Sequence, residues 1–263
     1  MTSSQAANAD RHVYYERAVQ EPDEEVQVLD LVFSKLRGRK PVSLREDFCG
    51  TALLCTRWVE SDPARRAIGV DLDSDTLAWG REHRVRPLGA RAEAVELVCA
   101  DVREAATAAV DLVAAFNFSY CLIHERSQLV EYFRAARNAL ASDGLFVLDM
   151  HQGPRTWEEL IEETEFDDFV YVWEQGAIDA LSGKARRAIH FEFPDGSALD
   201  DAFEYVFRVW TLPELVDALG EAGFKRTDLF YEEFDEDGYS VGELHRVERL
   251  KHEDSWIGYL VCE

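Results

Sequence analysis

A chain of 263 residues with 52 acidic and 28 basic side chains, formal charge -24, is long enough to bury a full two-layer core. That charge opposes binding to a phosphate backbone, no basic stripe interrupts it, and no stretch approaches the roughly 18 apolar residues of a membrane-spanning helix. The five cysteines sit mostly in apolar runs without a C-x-x-C pair, so they are expected to be buried small hydrophobes and not a disulfide framework or zinc site. A soluble, cytoplasmic protein is expected, with no nucleic-acid or membrane partner.

Residues 1–10 are small and polar and are expected to be disordered. Pro22 with Asp23, Glu24 and Glu25 marks a helix's first turn, Val26, Leu29, Phe33 and Leu36 keep a helical spacing, and residues 37–40 close it. From Val42 onward, apolar runs at 42–47, 67–71, 95–100, 111–116 and 145–149 predict strands, separated by amphipathic helices. The clearest helix carries Leu129, Phe133, Ala136 and Leu140 on one face and is expected to end at Asp143-Gly144. Such alternation implies a parallel sheet with right-handed crossovers, whose ligands bind beyond the carboxyl ends of the strands. After Asp149 the rhythm changes. Residues 168–174, 187–193 and 201–210 are β-rich, with turn signals at Ser182-Gly183 and Pro194-Asp195-Gly196, and predict an antiparallel insertion. Thr211 and Glu214 then form a capping box for a helix ending near Gly223, and 227–232 and 256–262 predict two more strands.

The first strand runs through Leu44, Arg45, Glu46 and Asp47 into a tight turn, Phe48-Cys49-Gly50-Thr51-Ala52, where Gly50 lets backbone N–H groups approach a ligand. The second strand ends at Asp71, a carboxylate placed to accept two hydrogen bonds from a ribose diol, and Asp101 repeats the device after the third strand. Taken singly, Gly50 could end a strand and Asp71 and Asp101 could cap helices. At three successive strand ends they favour a nucleotide-like cofactor.

On these residues the sequence resembles class I S-adenosylmethionine-dependent methyltransferases from about Asp30 to the C-terminus. Glu46 takes the acidic position of the family's first motif and Gly50 its central glycine, while Phe48 and Ala52 replace the flanking glycines. A nicotinamide enzyme would want G-x-G-x-x-G here, which Phe48 and Ala52 fit poorly. The resemblance implies that Asp71 holds the ribose, Leu72 packs on the adenine, Asp101 and the backbone of Val102 read the adenine edge, and Asn117 opens the fourth-strand motif. With Thr51 in the turn and Tyr15 in an N-terminal lid, these complete the expected S-adenosylmethionine site. Residues 142–149 are similar to the family's turn and fifth strand. The implied fold is an α/β, Rossmann-like three-layer sandwich with a mostly parallel seven-stranded sheet and an antiparallel insertion after strand five. One domain spans 1–263: a helical lid (1–40), a cofactor half (41–150), an insertion that caps substrate or forms an interface (151–210), and a C-terminal helix with the last two strands (211–263).

Methyl transfer is an in-line displacement, and a base is needed only when the nucleophile arrives protonated. Asn117-Phe118-Ser119-Tyr120 distantly resembles the N-P-P-Y motif of amino-group methyltransferases, which gives nitrogen a slight edge over oxygen or carbon. Tyr120, His124 and His151 are the catalytic candidates, weighed against core or capping roles. The aromatics of the insertion, among them Tyr171, Trp173 and Phe191, with His190 and Arg208, fit either an acceptor pocket or a homodimer interface. Residues 233–238 begin like a calcium loop, but Leu244 stands where the twelfth-position Glu is required, so no metal is expected. A small-molecule methyltransferase leads; a non-catalytic cofactor binder and a protein methyltransferase are the other readings.

Overall fold

Pro22 sits at the first turn of a helix, where its fixed φ is pre-organised and its missing N–H costs nothing, and Gly38 ends that helix in the left-handed conformation that glycine adopts without strain. The computed structural model describes residues 4–232, 244–250 and 254–263. In chain order the helices are α1 (Gln5–Asn8), α2 (Arg11–Val19), α3 (Pro22–Arg37), α4 (Leu53–Ser61), α5 (Ser74–Gly80), α6 (Arg126–Asn138) and α7 (Leu212–Ala222). The strands are β1 (Ser43–Asp47), β2 (Arg66–Asp71), β3 (Val95–Cys99), β4 (Val110–Ala115), β5 (Leu140–Gln152), β6 (Leu160–Glu165), β7 (Val170–Gln175), β8 (Lys184–Glu192), β9 (Ala198–Arg208), β10 (Thr227–Tyr231), β11 (His245–Val247) and β12 (Trp256–Cys262).

The main sheet has the order β11-β10-β12-β5-β4-β1-β2-β3. From β5 to β3 every pairing is parallel, whereas β12, β10 and β11 add antiparallel pairings. The predicted α/β sandwich is therefore present, with eight strands in place of seven because β11 pairs along the edge of β10. β4 is buried along its whole length, as a central parallel strand covered on both faces must be. Phe33, Leu29 and Trp58 pack one face and Phe133, Tyr132 and Trp210 the other; each fully buried aliphatic or Phe side chain contributes about 1.5–3 kcal/mol.

The insertion is an antiparallel sheet of four strands, β6-β7-β8-β9, one more than predicted. Its extra strand, β6, reads Leu-Ile-Glu-Glu-Thr-Glu and is almost wholly exposed, so it lacks the apolar alternation that marks a strand. Three further expectations are corrected. Residues 4–10 are ordered: α1 docks on the insertion through Gln5 N–H to Asp195 Oδ2 (2.8 Å) and Ala6 N–H to Ser197 Oγ (3.0 Å). α6 stops at Asn138, and Leu140, expected on its apolar face, instead pairs with Val110 at the start of β5. Cys99 is exposed although the other four cysteines are buried. No helix among the described residues is long and apolar enough to cross a membrane.

Candidate functional site

Strand order reverses between β1 and β4, so the loops after β1, β2 and β4 diverge there and leave a crevice at the carboxyl ends of the strands. Two adjoining cavities fill this edge. The first, about 700 Å³, is lined by Phe48, Gly50, Thr51, Asp71, Leu72, Asp101, Val102, Asn117 and Tyr15, nine of the ten residues that the sequence assigned to the cofactor. The second, about 340 Å³, lies under the inner face of the insertion and includes Tyr120 and His151. Tyr15, Asn117, Ser119, Leu122 and Tyr205 belong to both, so the two spaces meet along one wall.

The turn after β1 keeps a glycine-like backbone although only its centre is glycine. Phe48, Gly50 and Ala52 have φ of 58°, 54° and 60°. For Phe and Ala the left-handed conformation costs about 1–2 kcal/mol each, and such strain concentrates at functional sites. The close approach depends on two glycines that sequence reading missed. A Cβ on Gly69 would lie 2.8 Å from Cys49 Sγ, and one on Gly80 would lie 2.3 Å from the Thr51 carbonyl oxygen. Asp71 stitches the turn to β2: Oδ2 accepts from Gly50 N–H at 2.8 Å and Oδ1 from Asp73 N–H at 2.9 Å. An ionised carboxylate has lone pairs for further donors, so Asp71 retains acceptor capacity toward the cavity. Beside it Leu72 is 71% exposed, an apolar surface at the cavity edge.

Asp101 is engaged by its own loop, because Arg103 donates to it from the backbone, Nε and Nη2 at 2.5–2.9 Å. These bonds hold the Asp101 carboxyl below its ordinary value. The loop is anchored from beneath by a buried network. Arg45 pairs with Asp47 (2.6 Å) and donates to the carbonyls of Val102 (2.9 Å) and Ala105 (3.3 Å), while Tyr132 donates to Asp47 (3.2 Å). Glu46 lies below the cavity and does not line it. Its carboxyl accepts from Cys55 N–H at 3.2 Å and Cys55 Sγ at 3.0 Å, which ties the first turn of α4 to β1, and burial raises it to about 8.

After β4, Asn117 and Phe118 both have φ of 56°, and Asp149 at the end of β5 fixes them by accepting from both N–H groups at 2.7 and 2.9 Å. Burial raises Asp149 to about 7. α2 closes the site from the N-terminal side: Glu16 accepts from Thr51 Oγ1 at 2.6 Å and from Arg84, and Tyr14 packs on Phe169, Phe191 and Phe193 of the insertion. Tyr15 and His12 pack on Phe203 of β9. The insertion's aromatics thus face this chain's own α2 and cavities.

The structure separates the three catalytic candidates. Tyr120 is fully buried and burial holds its phenol well above its ordinary value. His124 lines neither cavity, because its Nε2 lies 2.7 Å from the Val206 carbonyl. His151 does face the second cavity, with Nε2 2.7 Å from Ser255 Oγ, and burial aided by Arg187 and Arg155 lowers it to about 4. It is a neutral imidazole at physiological pH. Among the described residues no cluster of His, Cys, Asp or Glu could hold a metal ion, and the acidic run 233–238 lies outside them.

The sequence matches no protein-family model and no curated protein. Solved structures are similar in fold. An S-adenosylmethionine-dependent methyltransferase from Clostridium acetobutylicum matches with a TM-score of 0.66 and 20% identity over 95% of this chain and 96% of that one. The sugar N-methyltransferase KedS8 from Streptoalloteichus matches at 0.65 and 19% identity, covering 100% and 95%. CalS10, an amino pentose methyltransferase from Micromonospora echinaspora solved with S-adenosylmethionine bound, matches at 0.66 and 15%, covering 99% and 98%. The chain therefore has the Rossmann-like fold of S-adenosylmethionine-dependent methyltransferases.

Proposed function

We propose that this protein transfers the methyl group of S-adenosylmethionine to a small-molecule acceptor. One observation carries the proposal: the strand-end residues converge on a cavity that adjoins a second one across Tyr15, Asn117, Ser119, Leu122 and Tyr205. The residues present fit the cofactor's chemistry. The first cavity falls within the roughly 300–1,000 Å³ typical of cofactor sites, Asp71 offers acceptors for a diol, and exposed Leu72 offers an apolar cover for a base.

When bound, the cofactor supplies an electrophilic methyl group for in-line displacement. The chain's part is to align the acceptor and exclude water, which is where most of the rate enhancement of such reactions arises. Asn117, held by the Asp149 clamp, and Ser119, whose Oγ donates to the Phe116 carbonyl at 2.8 Å, stand on the shared wall, where the acceptor atom must approach. We favour nitrogen over oxygen or carbon because an amine can arrive neutral, and the histidine facing the acceptor cavity, lowered to about 4, is a weak base. The roofed second cavity suits a small acceptor better than a protein chain.

Incubation with S-adenosylmethionine and pooled metabolites, reading out S-adenosylhomocysteine, tests turnover. Release above the no-acceptor background is expected. Cofactor binding with persistent silence across chemically diverse acceptors would instead favour a protein that binds without catalysis.

A further inference from the structure

Among the described residues three arginines are buried, Arg45, Arg65 and Arg187. A cation removed from water needs a compensating negative charge, and in a chain of 52 acidic side chains partners are plentiful. Arg45 has Asp47 at 2.6 Å, and Arg65 has Asp30. Arg187, 3% exposed on β8, has no carboxylate partner among the described residues. Its Nη2 donates to the Thr156 carbonyl at 3.1 Å, and its Nη1 to the carbonyls of Gly176 and Arg186 at 3.1 and 3.2 Å. These bonds orient the guanidinium without neutralising it.

The immediate neighbour makes the point sharper. Successive strand residues face opposite sides of a sheet, and Arg186, on the outer side, gathers Glu174, Asp201 and Glu204. Arg187 points the other way and lines the acceptor cavity, whose walls are mostly apolar and aromatic, with Trp173, Ile189 and Phe207 among them; the carboxylate on that wall, Glu162, is exposed and pairs with Arg155 at 2.7 Å, not with Arg187. Burial brings Arg187 down to about 10, so it is still a cation at neutral pH, and the nearby Cys121 thiol, pushed up to about 12, provides no anion.

We propose that the acceptor is an anion with an apolar or aromatic body, and that the guanidinium of Arg187 holds its carboxylate or phosphate while the body packs against Tyr171 and Trp173. A planar guanidinium donates to either oxyanion in the same forked geometry, so the shared chemistry is an oxyanion. The proposal rests on the second cavity's being the acceptor site of the proposed methyl transfer. Arg187 is a binding and positioning residue: it fixes the end of the acceptor remote from the transferred methyl group.

The test uses the full chain saturated with S-adenosylhomocysteine, with benzoate and phenyl phosphate as anionic probes and benzamide as the neutral one. Titration calorimetry is expected to show at least one of the anions binding at least about tenfold more tightly than benzamide, and which of them does so identifies carboxylate or phosphate. In Arg187→Met the preference is expected to fall within about twofold with S-adenosylhomocysteine affinity unchanged, and Arg187→Lys is expected to restore part of it. Because Arg187→Met also loses three carbonyl partners and could fail to fold, a wild-type measurement stands beside it. His151 faces the same cavity and is lowered by burial and by the cations Arg187 and Arg155, so a bound anion is expected to raise the midpoint of its ring resonance by about one pH unit. Equal binding of anions and benzamide, no anion binding at millimolar probe, a preference that survives Arg187→Met, or an unmoved His151 midpoint with anion bound would each overturn the proposal. The anion preference is also measured on the chain without S-adenosylhomocysteine, so failure of the wild type to bind S-adenosylhomocysteine would overturn the methyl-transfer reading instead.

Discussion

The two cavities are built by different means. The first cavity, where we propose the cofactor binds, is floored by strand ends of the main sheet, with Asp71 ending β2 and Gly50, Asp101 and Asn117 following β1, β3 and β4, and is closed by α2 and residues 201–205 of β9. The acceptor cavity is made by side chains of β7, β8 and β9 together with the loops after β4 and β5, which come from distant parts of the chain. The first needs a particular backbone path and tolerates Phe48 and Ala52 in it. The second can be retuned by single side chains, such as Arg187, a buried cation with no carboxylate partner among the described residues. A site for a common cofactor and a site for a particular acceptor would be expected to divide in this way.

This contrast predicts which changes act on one half alone. The largest effect is expected for Arg45→Met, which strands the buried Asp47 carboxylate and frees the Val102–Ala105 loop. Removing one partner of a buried pair costs about 3–5 kcal/mol, so denaturant unfolding should show that loss, with cofactor affinity reduced in whatever remains folded. Next is Gly80→Ala, whose methyl would meet the Thr51 carbonyl at 2.3 Å. Overpacking against backbone costs about 1–3 kcal/mol, and calorimetry should find weakened S-adenosylhomocysteine binding while the anion preference of the other cavity persists. An unchanged cofactor affinity would contradict the account of the turn.

A smaller effect concerns pH. Folding raises Glu46 to about 8 and Asp149 to about 7, so above the ordinary carboxylate range the folded chain holds protons that the unfolded chain has released. Stability must then fall as pH rises toward 8. His151, lowered from 6.5 to about 4, works in the opposite direction but only below 6.5. Unfolding midpoints should therefore decline between pH 6.5 and 8, and Glu46→Gln should flatten that decline. A flat or rising profile in the wild type would contradict the buried-carboxyl assignment. The smallest effect lies outside both cavities: a Cβ on Gly220 in α7 meets nothing within 4 Å. Gly220→Ala should stabilise by about 0.4–1 kcal/mol without touching either ligand.

The same contrast explains what the sequence disclosed. Strand-end residues were legible because alternation of apolar and amphipathic segments places every post-strand residue at one edge of a parallel sheet. Gly69 and Gly80 were not, since the space they leave belongs to Cys49 and Thr51, which lie 20 and 29 positions earlier in the chain (69 minus 49, 80 minus 51). β6 was missed because its face is polar, and α1 because its partners, Asp195 and Ser197, lie far along the chain. Arg187 left a faint trace. Two adjacent arginines in a strand must face opposite sides, so one of Arg186 and Arg187 had to point toward the inner face of the insertion. Taking the strand to begin at 187, not at Lys184, hid that pairing.

The central claim, that the β1 turn and Asp71 build a cofactor site, is tested most directly by calorimetric titration of S-adenosylmethionine into the wild-type chain and into Asp71→Ala. Asp71 offers charge-assisted acceptors worth about 1.5–3 kcal/mol, so saturable wild-type binding weakened at least about tenfold by the substitution is predicted. No wild-type binding at millimolar ligand, or equal affinities in the two proteins, would contradict it.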